Sequence, residues 1–186
     1  MLELARLLAL MAFVALAFAV LLFLRRAGRL IAETRSRQTF RRAASDLVSR
    51  SCSSLDGVAA RIDGVRHGTL EAHIITDNLS AASDAVRRYA EEAEGLSGSS
   101  APTRELRNGI VTELDRAGRA LEMVAHGCAI LAVSSRASGR ELEAQTAVKR
   151  GYLGILHARE ALARHGARSV ELATIDPPRL FERRNA

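Results

Sequence analysis

The run Leu7–Leu24, LLALMAFVALAFAVLLFL, holds 18 consecutive apolar residues with no Gly, Pro or polar interruption. As a helix rising about 1.5 Å per residue it reaches roughly 27 Å, the depth of a bilayer's hydrocarbon core. A cleaved signal peptide needs a basic start and a small-x-small site closing the apolar run. Here the start is Met-Leu-Glu-Leu-Ala-Arg, and the A-x-A of Ala17 and Ala19 is followed by more apolar residues and then Arg25-Arg26. The run therefore predicts a single transmembrane helix, with residues 1–26 as an anchor. Ala5, Ala9, Ala15 and Ala19 form two small-xxx-small pairs, and in so Ala-rich a segment they are expected simply to face lipid.

Charge is distributed to match. The chain carries +6 overall, and residues 1–42 hold all of it: eight Arg against Glu3 and Glu33, leaving 43–186 neutral. Arg25, Arg26, Arg29, Arg35, Arg37, Arg41 and Arg42 follow the apolar run and only Arg6 precedes it. The positive-inside bias then predicts a single-pass membrane protein whose C-terminal domain is cytoplasmic. Residues 27–42 form a basic juxtamembrane helix expected chiefly to set topology, although its Arg can also lie against anionic headgroups at about 1 kcal/mol each. A neutral remainder with two Tyr, one Phe and no Trp has neither the surplus of cations nor the stacking platforms that a nucleic-acid partner requires.

Beyond the anchor, apolar residues recur at spacings of three and four, with no period-two alternation, so the domain is expected to be all-α. Phe40, Ala44, Leu47, Ser51, Leu55, Val58, Ile62 and Val65 make one seam, closed at His67-Gly68-Thr69 with Thr69 opening the next helix. Ile75, Leu79, Ala82, Val86, Tyr89, Ala93 and Leu96 make a second, ending in a Ser/Gly/Pro-rich loop through Thr103. Leu106, Ile110, Leu114, Ala117, Leu121, Val124, Cys128 and Leu131 make the third. Ser138-x-x-Glu141 has the form of a capping box for a fourth helix, faced by Val148, Tyr152, Ile155, Leu156 and Leu162 and closed at Gly166. Short connections between helices of about 27 to 37 residues predict an up-down, coiled-coil-like four-helix bundle over 43–166. Residues 167–186 form a C-terminal tail broken at Pro177-Pro178.

Chemistry is hard to find. No Walker loop, dinucleotide Gly fingerprint, H-E-x-x-H, CxxC or G-x-S-x-G occurs. Glu122-x-x-x-His126 and His157-x-x-Glu160 come nearest to the Glu-x-x-His of metal-carrying bundles. Folding the chain about its loops does not bring them together. His73 and His126 each lie two residues off a seam and should point outward. No catalytic, cofactor or metal residues are expected. Cys52 and Cys128 fit as small buried hydrophobes too far apart along the bundle to pair, which suits reduced thiols in a cytoplasmic domain.

Met123–Val133 is apolar on nearly every side but His126. Met123, Ala129, Ile130 and Val133 widen the arc beyond the seam, which predicts a partner contact or a cover supplied by Leu172, Ile175, Leu180 and Phe181. The expected function is a membrane-anchored, non-enzymatic helical interaction module, an accessory subunit or scaffold of a membrane complex. Its partners are the lipid bilayer and a further protein or a second copy. The alternative is a single-pass sensor whose bundle binds a small ligand.

Overall fold

The computed structural model describes the backbone of residues 2–98, 100–133 and 140–171, and side chains over the same ranges except at 2–10, 12–15, 17, 27–33 and 133. Among these residues the regular elements are helical: α1 (Leu2–Arg66), a short 3₁₀ helix (Ala72–Ile75), α2 (Thr76–Glu94), α3 (Ala101–Val133) and α4 (Glu141–Glu171). By internal packing the chain divides after Thr39. Among the described residues no helix is long and apolar enough to cross a membrane. The Leu7–Leu24 run includes 7–10, 12–15 and 17, whose side chains lie outside the described set.

From Phe40 onward every seam position is buried or partly buried, and Leu47, Ile62, Ile110, Leu114, Leu121, Val124, Ile155 and Leu162 have no exposed surface. Ser51, a polar residue in the first seam, is satisfied within its own helix, donating from Oγ to the Leu47 carbonyl at 2.8 Å. Cross-helix contacts give the topology. Arg50 pairs with Glu92 and Arg61 with Asn78, so α1 and α2 are antiparallel. Arg159 donates to Asp56 at 2.9 Å, and Arg66 lies over the Tyr152 ring at 4.4 Å, so α4 runs antiparallel to α1. α3 touches α2 and α4, whereas α2 and α4 do not touch. The helices therefore occupy the corners of an up-down-up-down bundle, with α1 opposite α3 and α2 opposite α4.

Several local expectations need correction. α1 does end at Gly68, whose φ of +71° lets the chain close a Schellman motif: Gly68 N–H reaches the Val65 carbonyl at 3.1 Å, and Thr69 N–H reaches Gly64 at 2.9 Å. Thr69, however, caps no following helix. Its hydroxyl turns back to Gly64, and the 3₁₀ turn carries Ile75 into the core before α2 starts, leaving α2 only 19 residues long. Pro102 lies inside the first turn of α3, where its missing N–H costs nothing and Ser100 supplies the cap, its Oγ accepting from Thr103 N–H at 3.4 Å.

Gly166 does not close α4, which runs on to Glu171. A Cβ there would stand 3.0 Å from Val48 Cγ1, so this glycine serves the approach of α4 to α1. The proposed Ser138 cap, the Pro177-Pro178 break and Leu172, Ile175, Leu180 and Phe181 lie outside the described residues.

Candidate functional site

Among the described residues α3 lies very close on α4. A Cβ on Gly127 would lie 2.8 Å from the Ala144 carbonyl oxygen, and one on Gly151 would lie 2.7 Å from that of Ala120. Backbone thus meets backbone across the seam, with Ala144 and Ala158 fully buried beside it. This contact also accounts for much of the apolar breadth of 123–133: Gly127 is buried against α4, and Ala125 packs on the core. Of the residues expected to meet a partner, Met123 is 42% exposed, Ala129 is exposed and Ile130 half-buried. The Val133 side chain lies outside the described residues.

At the far end of the same seam the His165 ring lies over Gly109, where a Cβ would come within 2.6 Å of its Cε1. Sequence reading missed this residue, because nothing in the sequence pairs a histidine with a glycine 56 positions earlier. Its Nδ1 is buried without a hydrogen-bond partner. The ring flanks a cleft of about 440 Å³ bordered by Glu105, Asn108, Thr112 and Arg168. Burial lowers the His165 pKa below 6.5; Glu113 opposes that shift, while Arg168 and Arg164 add to it.

The fold thus favours the neutral imidazole, and the unfolded chain binds the extra proton as pH falls through 6.5. Stability from this group is complete above 6.5 and is lost as pH drops toward the lower folded value. Urea midpoints measured between about pH 7 and pH 5 should fall more steeply for the wild type than for His165→Asn. Parallel slopes would contradict the assignment.

A larger cavity, about 610 Å³, opens at the end of the bundle where α1 passes to α2. Val65, Leu70, Leu131 and Val148 make its apolar wall, and Arg66, His73, Glu141 and Lys149 are among its polar groups. Most of these already have partners: Arg66 with Asp63 and Tyr152, His73 with Glu71, and Glu141 with Gln145. A ligand-binding sensor would use this space.

His73 and His126 are exposed, as their offset from the seams requires. Among the described residues no three His, Cys, Asp or Glu side chains stand close enough to hold a metal ion. Cys52 is half-buried, its Sγ 3.7 Å from the Arg159 carbonyl, and Cys128 is buried. Burial pushes both thiols up, which disfavours the thiolate that nucleophilic chemistry needs.

Of the seven topology arginines, Arg25, Arg26, Arg35, Arg37 and Arg42 are exposed and Arg41 is partly buried, while the Arg29 side chain lies outside the described residues. No protein-family model matches this chain, and no curated protein or solved structure is detectably similar to it.

Proposed function

We propose that this chain is a membrane-anchored, non-enzymatic helical interaction module, held by residues 1–26 with its bundle on the cytoplasmic side. The observation that carries the reading is the stretch Phe18–Leu24. Phe18, Val20, Leu21, Leu22, Phe23 and Leu24 are each at least half exposed, and near-consecutive positions on a helix point in every direction. A one-sided contact cannot cover such a surface, and in water its exposure is strongly unfavourable, whereas lipid surrounds a helix completely. Arg25, Arg26, Arg29, Arg35, Arg37, Arg41 and Arg42 then set the orientation and face anionic headgroups.

The sensor reading is weaker. Its cavity is open, and the polar groups there are mostly engaged with one another.

The full chain should stay with membranes through alkaline extraction, and a reporter active only outside the cytoplasmic membrane, fused after Ala186, should be silent. Leu16→Arg with Val20→Arg places one cation at the helix centre, at about 3 kcal/mol, and a second about one turn away, and should release the chain. A wild-type chain that washes off, or an active reporter, would overturn the anchor or its orientation.

A further inference from the structure

Two outward stripes lie on opposite corners of the bundle. On α2, Asp77, Asp84 and Glu91 recur every seven residues, with Ser80 and Arg87 three places after the first two. On α4, Arg150, His157 and Arg164 recur every seven residues, with Leu153 and Glu160 three places after the first two. All ten side chains are exposed. The stripes have the same spacing and opposite charge at three of their five steps, Asp77 against Arg150, Arg87 against Glu160 and Glu91 against Arg164. Asp77, Glu91 and Arg150 make no ion pair among the described residues. The pairs that do form, Asp84 with Arg87 and Glu160 with Arg164, are local and solvent-exposed.

We infer that this protein self-associates, α2 of one copy lying parallel to α4 of the next. α2 and α4 run in the same sense because both are antiparallel to α3, so a translated copy presents its α2 parallel to this α4. In parallel register, heptad positions face their equivalents. Asp77 then meets Arg150, Ser80 meets Leu153, Asp84 meets His157, Arg87 meets Glu160 and Glu91 meets Arg164.

Like stripes repel on balance: α2 on α2 sets Asp77, Asp84 and Glu91 against acids, and α4 on α4 sets Arg150 and Arg164 against bases, so the unlike pairing is favoured. Such a contact is heterologous. The terminal copies keep one free stripe of each kind, and because the stripes lie on opposite corners the contact repeats as an open row. One helix-on-helix contact is a small interface, weak in dilute solution and made effective by confinement to a membrane. The inference rests on the anchored-module reading and supplies its partner, a second copy of this chain.

The test uses the full chain, labelled at its N-terminal amine with donor or acceptor dye and reconstituted in phosphatidylcholine vesicles. Energy transfer should exceed the random-density level and should fall when salt is raised from about 0.05 to about 0.5 M. Arg150→Glu with Arg164→Glu makes α4 acidic, and Asp77→Arg with Glu91→Arg makes α2 basic. Either variant alone should drop to the random level with helicity unchanged.

Mixing the two variants should restore transfer, because the acidic α2 of the first meets the basic α4 of the second, and its acidic α4 meets the other's basic α2. Wild-type transfer at the random level, full transfer in either variant alone, or no recovery on mixing would each overturn the pairing. If the chain floats with the vesicles in those cases, only the self-association falls. If it does not float, the anchored-module reading falls as well.

Discussion

Gly151→Ala should destabilise the bundle by about 2 kcal/mol, although alanine is the better helix former. In a free helix the exchange gains up to about 1 kcal/mol. At this position the new methyl would stand 2.5 Å from Val124 Cγ2, 2.7 Å from the Ala120 carbonyl oxygen and 3.1 Å from the Val124 nitrogen. A flexible side chain can turn away from such a contact, but a helix backbone cannot, so α4 must move off α3 as a body and loosen the seam on either side. Gly127→Ala, blocked by the Ala144 carbonyl, should behave the same way. Gly57→Ala, with nothing within 4 Å, should instead gain a few tenths to 1 kcal/mol. Urea midpoints at constant m-value measure all three. A neutral or stabilising Gly151→Ala would mean that α3 and α4 are not in backbone contact.

Leu121→Ala should cost more, about 2 to 5 kcal/mol, because the side chain is fully enclosed in the core. The backbone seam between α3 and α4 leaves little freedom to collapse into the vacated space, which places the loss toward the upper part of that range. Against a domain stability of roughly 5 to 15 kcal/mol it removes a large fraction of the total, and thermal melting followed by circular dichroism should show it plainly. Leu142→Ala is the matched comparison: the same atoms are removed from a side chain 74% exposed, and the change should stay within about 0.5 kcal/mol. Equal losses at 121 and 142 would mean that Leu142 is covered in the molecule as it exists in solution.

Much of the bundle is legible in the sequence because two local rules act there. Spacing at three and four decides which side of each helix is apolar, so Leu47, Leu79, Leu114 and Ile155 are identifiable as core from periodicity alone. Gly68 marks the end of α1 because only glycine readily takes the positive φ that the closing turn requires. Both rules depend on a few neighbouring residues, and they say nothing about distance or register between helices.

What the tertiary structure alone decided follows from that limit. Whether a glycine ends a helix or admits a neighbour depends on what stands across from it. Gly166 reads as a stop, yet it lies mid-helix against Val48, and Gly109 becomes a bed for His165 only once α3 and α4 are in register. Periodicity likewise shows that α3 has a wide apolar arc, but not that Gly127 spends part of that arc on α4 while Met123 stays exposed. The acidic and basic stripes are visible as spacings of seven in the chain. Their placement on opposite corners of one bundle is a property of the helix order in space, set by which seams pack together, and no single helix encodes it.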